Sequence, residues 1–201
     1  MLIDTLFVVA IVLAALVSVP SLAHALELPG KMRLSEAEYR IVQRIYYPGF
    51  TLLGIAEVGA PLVLLVLVLL VPTGSVEFWL LGVALGGFAA VQAVFWLVTQ
   101  PVNRSWVASV KLGAAGARFF GAGSRRRAES TFAELRARWE YSHLVRAALA
   151  VLGLVAIAIA AADRGLWCAA GNAAAASAVQ ARSVSSNQAF AASRATASCG
   201  G

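Results

Sequence analysis

Four long apolar runs separated by polar stretches dominate the chain. They cover Thr5 to Leu26, Phe50 to Val71, Phe78 to Thr99 and Leu144 to Ala162. Each is about the 20 residues that a helix needs to cross a hydrocarbon core. Backbone N–H and C=O groups have no water partners in lipid, so each run is expected to be helical. Between the first two runs, Ser35 and Glu38 have the spacing of a capping box, predicting a short helix from Glu36 to about Tyr46. Pro29-Gly30 is expected to end the first run and Pro48-Gly49 to restart the chain into the second. The long segment after the third run predicts helical pieces over about 105–120 and 127–143. Gly121 to Ser124 forms a turn between them, and the second piece leads straight into the fourth run.

Composition agrees with this pattern. Of 201 residues, 60% are hydrophobic and 13% charged; soluble domains average about 45–50% and about 25%. Disordered, collagen-like and disulfide-scaffold classes are excluded. The expected fold class is all-α: a polytopic membrane protein with a four-transmembrane-helix bundle and helical loops. The bundle would occupy residues 1–164. Residues 165–201, rich in Ala, Ser and Gly, read as a disordered outer tail. Cys168 and Cys199 both fall in that tail, and no geometry there supports a pairing.

The net charge of +6 reads mainly as a topology signal. Twelve of the sixteen basic residues lie in two segments on one side of the bundle, Glu27 to Tyr47 and Val102 to Ser142. The positive-inside rule makes both segments cytoplasmic and both termini external. The bilayer is then the expected partner, with anionic lipid near Arg125–Arg127. No nucleic-acid recognition module accompanies the basic residues. A competing reading takes Ala23-His24-Ala25 as a signal-peptidase site; the preceding segment has no basic residue and contains Asp4.

Polar groups inside the apolar runs are costly, so their positions are informative. Glu57 and Gln92 both lie about 10 Å from the cytoplasmic edge at the helical rise of about 1.5 Å per residue. Arg146 and His24 lie nearer that edge, where Glu27, Gln100, Asn103, Glu140 and His143 gather. This one-sided set predicts a cytoplasm-facing polar pocket in which Arg146 pairs with Glu57 and Gln92 hydrogen-bonds to it. Pro20 and Pro61 would kink their helices beside it. Gly82 and Gly86 would let helices approach closely in the other half. Each residue also has a bland reading. His24 and His143 can be solvated at the interface, Arg146 can reach up to lipid phosphates, Trp139 and Tyr141 can be belt aromatics, and Glu57 can be structural.

Several chemistries fit this set. His24, Glu27, Glu140 and His143, spaced i,i+3 in two pairs, are weak metal-ligand candidates; iron is one alternative, and a haem between the two histidines another. Without a cofactor, a His, a buried Glu and an Arg around an apolar pocket can deprotonate a weakly acidic lipophilic molecule and hold its anion. Glu57 alone suits a small proton-coupled transporter, and a non-enzymatic membrane subunit is the plain alternative. Phosphate loops, Cys-x-x-Cys and nucleophile elbows are absent from the sequence.

The stretches Ala23-His24-Ala25-Leu26-Glu27-Leu28-Pro29-Gly30-Lys31 and Val42-Gln43-Arg44-Ile45-Tyr46-Tyr47-Pro48-Gly49 resemble small bacterial membrane proteins of unknown function. Pro101-Val102-Asn103 and Arg138-Trp139-Glu140-x-x-His143-x-x-Arg146 resemble the anthrone-oxygenase-like family. The resemblance covers about residues 1–163 and implies a four-helix membrane bundle. Some members of that family oxidise anthrones to anthraquinones without a known cofactor. It points to Asn103, Trp139, His143 and Arg146 as matching positions. In the resulting reading, the protein is an oxidoreductase-like enzyme needing no cofactor and acting on a lipophilic or aromatic molecule. His143 would be the base, Arg146 and Asn103 would hold the oxyanion, and His24 and Glu57 would complete the pocket. Trp139, Gln92 and Tyr47 would touch the substrate.

Overall fold

The computed structural model describes the chain apart from residues 47–48, 107–130 and 199–201, and apart from the side chains of 51, 106 and 166–198. The long-loop pieces over 107–130, Tyr47 and the cysteine pair lie outside what is described. Every regular element among the described residues is a helix. The chain forms two compact units, Met1–Ala160 and Ala161–Gly201.

In the first unit, helix α1 covers Leu2–Lys31. It runs through both Pro20 and Pro29, so Pro29-Gly30 does not end it. The chain stops instead after Lys31, a basic residue that suits the negative end of the helix dipole. Helix α2, Glu36–Ile45, starts on the expected capping box: the Ser35 backbone N–H and hydroxyl both donate to Glu38 Oε2, at 2.8 and 2.6 Å. The second apolar run is broken. A single turn, α3 (Gly49–Leu52), precedes α4 (Gly54–Leu70). Because of this break, Glu57 sits in the first turn of α4, where the helix dipole favours a carboxylate. A tight turn follows, with Gly74 at φ +83, a conformation that glycine adopts without a Cβ penalty. Ser75 then caps α5 (Val76–Val94) by accepting from the Phe78 N–H at 3.0 Å.

At its polar end α5 widens into a π-helical turn, Phe95–Thr99, and continues as α6, Gln100–Trp106. Pro101 accounts for the widening. A proline ring has no N–H to offer and collides with the carbonyl four residues back, here Leu97; an i→i+5 turn relieves that collision. Helix α7 covers Phe132–Ser198. Thr131 and Glu134 cap its start reciprocally, at 3.3 and 2.9 Å. As expected, its loop segment passes into the fourth apolar run without a break.

In the second unit the backbone is helical from Ala161 to Ser198. The expectation of a disordered tail gives way to a helix there. The alanines that dilute the large apolar residues are also the strongest helix formers.

Helix α1 packs on α4, and α4 on α5. Close approach of α5 and α7 rests on Gly87 and Gly153. A Cβ on Gly87 would lie 3.4 Å from the Leu149 carbonyl oxygen, and one on Gly153 would lie 2.7 Å from the Phe88 ring. Gly82 and Gly86, expected to serve this role, have open space at the Cβ position.

Among the described residues, three stretches are long and apolar enough to cross a membrane: Leu2–Lys31, Val76–Ser105 and Phe132–Gly165. The fourth apolar helix, Gly54–Leu70, has 17 residues, having lost its first turn to the break at Leu53. Outward-facing positions such as Val8, Leu62, Val83 and Leu152 are exposed hydrophobics, while the buried positions include many small residues (Ala10, Ala14, Ala60, Ala84, Ala150). An apolar exterior around a small-residue interior is the pattern of helices packed in lipid.

Candidate functional site

His24, Glu57 and Arg146, the ionisable residues inside the apolar runs, meet at one end of the first unit. Arg146 Nη2 of α7 donates to Glu57 Oε1 of α4, and both side chains are buried. The expected pair therefore forms. It also accounts for Arg146, which is 3% exposed, points into the protein and sits with its guanidinium 5.0 Å from the centre of the Phe95 ring. Gln92 joins in a different way from that expected. Its Nε2 donates to the Glu57 backbone carbonyl at 2.7 Å rather than to the carboxylate. That carbonyl would normally receive the N–H of residue 61, which is Pro61 and has none. Gln92 supplies the missing donor to a buried backbone group.

His24 of α1 and His143 of α7 lie against each other, with ring centroids 4.5 Å apart at 84°. Neither is solvated at an interface; they are 3% and 5% exposed. Their edge-to-face contact leaves no gap for a porphyrin plane, so the arrangement does not fit a haem between them. Among the described residues no three His, Cys, Asp or Glu side chains stand where one metal ion could be held. The weak ligand set is drawn apart by other partners. Glu140 Oε1 accepts from the Tyr39 hydroxyl at 2.7 Å. His143 Nδ1 donates to the Trp139 carbonyl at 2.9 Å. Glu27 Oε2 accepts from Lys31 Nζ at 2.8 Å and from the Tyr46 hydroxyl at 2.7 Å.

Trp139 is the hub of this end, 3% exposed rather than a belt aromatic. Its ring lies 4.6 Å from His24, 4.1 Å from His143 and 6.4 Å from Tyr46. Its indole N–H donates to Asn103 Oδ1 at 2.7 Å, and Asn103 Nδ2 donates to Gln100 Oε1. The Asn103 oxygen thus holds Trp139, and one of its two amide N–H donors goes to Gln100. Tyr141 does face outward, at 66% exposure. Beside Trp139, the Ser142 hydroxyl donates to the Trp139 carbonyl at 2.7 Å and accepts from Thr99 at 2.9 Å, which ties α7 to the π-helical turn.

Three members of the cluster did not stand out in the sequence. Lys31, counted there only as a topology charge, is 4% exposed. Its ammonium lies 4.9 Å from the Tyr46 ring centre and 4.7 Å from that of Trp139, and contacts His24 Nδ1 at 3.0 Å. The spacing His24, Glu27, Lys31 puts all three on one helical face and was the available signal. By sequence Tyr46 suits an interfacial face and Tyr39 carries no signal of its own, whereas each donates its hydroxyl to a carboxylate. The Tyr39–Glu140 partners are 101 positions apart, and no local pattern signals such a contact.

Burial pushes the Tyr39 hydroxyl well above its ordinary value, with the Glu140 carboxylate adding to the shift. Burial and the bond to Glu27 do the same for Tyr46. A raised folded-state pKa contributes stability that is fully present below the unfolded value, about 10, and is lost as pH rises toward the folded one. Alkaline titration should therefore show Tyr39 and Tyr46 ionising only with loss of the native helix packing. Tyr39→Phe should cost about 1–3 kcal/mol, because it strips Glu140 of a donor while Glu140 Oε2 already has no partner among the described residues. Phenolate absorbance followed together with circular dichroism checks both points.

The chain matches no protein-family model, no curated protein and no solved structure. What fold and site define is a helical protein with membrane-length apolar helices and a buried, charged and aromatic cluster at one end.

Proposed function

We propose that this chain is a four-span bacterial inner-membrane protein that performs acid–base chemistry on a lipophilic, weakly acidic aromatic molecule, in the manner of the anthrone-oxygenase-like proteins it resembles. The fourth span is Gly54–Leu70 with the turn before it; 17 residues rise about 26 Å, near the lower limit for crossing. The basic segments 27–47 and 102–142 face the cytoplasm, and the buried cluster lies just inside that face.

One observation carries the enzymatic reading. His143 and Arg146 sit one helical turn apart and both are buried, yet each keeps one reactive nitrogen unengaged among the described residues. His143 uses Nδ1–H on the Trp139 carbonyl, so its second nitrogen, Nε2, carries the lone pair of a base. Arg146 is held by Glu57 through Nη2, and its Nε–H has no partner. Buried donors are nearly always satisfied, and an orphan needs an explanation; an anionic oxygen of a substrate is the one proposed here. Asn103 supports Trp139 through its amide oxygen. Glu57 fixes Arg146; an ion-paired carboxylate is a poor proton carrier, which disfavours the transporter reading.

On an anthrone-type substrate, His143 Nε2 takes a proton from the acidic ring CH2, and Arg146 Nε–H stabilises the enolate oxygen. Dioxygen is the oxidant: it adds to the carbanion, and loss of one water leaves the quinone. One substrate and one O2 give one quinone and one H2O. With anthrone as the probe, vesicles containing the protein should consume oxygen and form anthraquinone faster than protein-free vesicles. His143→Gln should lower the excess rate by about 10²–10⁴-fold, the usual contribution of a positioned base. An excess rate of zero, or a His143→Gln rate equal to wild type, overturns the proposal.

A further inference from the structure

We infer that Lys31 is a positioning residue that fixes the proton of His24 on Nε2, so that the two touching imidazoles carry opposite tautomers. The inference starts from donor inventory. An ammonium group has three N–H donors and no lone pair. Its 3.0 Å contact with His24 Nδ1 is a hydrogen bond only if Nδ1 is the acceptor. The proton of the neutral ring then lies on Nε2. Glu27 Oε2, at 3.3 Å from the same Nδ1, is the weaker claimant, and that carboxylate oxygen is already satisfied by Lys31 at 2.8 Å and Tyr46 at 2.7 Å.

The ammonium is itself held firmly. Glu27 and His24 take two of its donors on one side, and the faces of Tyr46 and Trp139 receive its charge at 4.9 and 4.7 Å. These groups lie on three elements: α1, the end of α2 and α7. The group that sets His24 therefore locks in place only when all three are assembled. His143 is set from the other direction. Its Nδ1 donates to the Trp139 carbonyl, so its Nε2 is bare. Side by side, at 4.5 Å between ring centres, stand an Nε2–H donor and an Nε2 base. This divides between two residues the roles that one histidine would have to alternate. His24 is the donor of the pair, suited to a substrate that presents an oxygen as well as an acidic C–H.

The use of the pair in catalysis rests on the proposed function; the tautomers do not, so the two are tested separately. The chain has two histidines, so ¹⁵N-histidine labelling gives a spectrum of four ring nitrogens. At neutral pH, wild-type protein in lipid should show one ring protonated at Nε2 (His24) and one at Nδ1 (His143), with His143→Gln supplying the assignment. In Lys31→Met, the His24 proton should move to Nδ1, where it can donate to Glu27. In Glu27→Gln it should stay on Nε2, because Lys31 remains. Two rings of the same tautomer in wild type overturn the inference even if Lys31→Met does not fold. So does a His24 proton that stays on Nε2 in Lys31→Met or moves in Glu27→Gln. The expected tautomers in a protein that leaves anthrone untouched would sink the enzymatic reading alone.

Discussion

Replacing Arg146 with Met should destabilise the bundle by about 3–5 kcal/mol, because it leaves the Glu57 carboxylate buried without its counter-charge. The side chains of Arg146 and Glu57 are 3% and 9% exposed, so neither can be rescued by water without local opening. Removing both charges is expected to behave differently. Glu57→Leu with Arg146→Met replaces the pair with apolar groups and should recover most of the loss, since a buried ion pair seldom outweighs its own desolvation. Glu57→Gln alone should fall between, as it keeps a hydrogen-bonding oxygen for Nη2 but no charge. Unfolding midpoints of wild type, Arg146→Met, Glu57→Leu and the double variant in one detergent form a double-mutant cycle, and its coupling energy should be large and favourable. Single and double variants of equal stability would mean that the pair does not hold α4 to α7. This cycle separates structural from chemical roles, because the double variant should fold and yet lose the proposed oxyanion donor.

The second large effect is expected at Trp139. Truncation to Ala should cost about 3–5 kcal/mol, the range for deleting a buried aromatic side chain. The indole is the shared wall of both histidines, of Lys31 and of Tyr46, and it is tied to α6 through Asn103. Trp139→Phe keeps most of the volume and loses the bond to Asn103 Oδ1, so it should cost about 1–3 kcal/mol through the unpaired amide oxygen. Asn103→Ala should cost a similar amount by orphaning the indole N–H. The double change Trp139→Phe with Asn103→Ala should cost less than the sum of the two single changes. Additive losses would show that the Trp139–Asn103 bond contributes nothing beyond packing.

The sequence carried the local features well and the distant ones poorly. The capping box at Ser35 and the entry of α7 into the fourth apolar run depend on neighbours within a turn or two, and the structure has both. Glu57 and Arg146 stood out because a charge in an apolar run demands a partner, and each proved to be the other's. The misses share a physical cause. Whether Pro29 ends a helix or Pro101 widens one depends on what the surrounding packing supports. Which glycines face a neighbouring helix depends on rotation about the axis; Gly87 lies one position beyond Gly86, which is about 100° around a helix of 3.6 residues per turn. The acceptors of Tyr39 and Trp139 lie on other elements, so only the folded chain brings them together. Lys31 was legible in principle from its register with His24 and Glu27. Its basic charge suited the cytoplasmic-side rule so well that burial was not expected of it.

The claim at the centre of this account is that His143, inside the cluster, takes a proton from carbon. Hydrogen–deuterium exchange at the acidic CH2 of anthrone, in deuterated buffer without oxygen, isolates that step from oxidation. Wild-type vesicles should exchange those hydrogens faster than protein-free vesicles, and His143→Gln should return the rate to background. Exchange in wild-type vesicles no faster than background, or unchanged in His143→Gln, would contradict it.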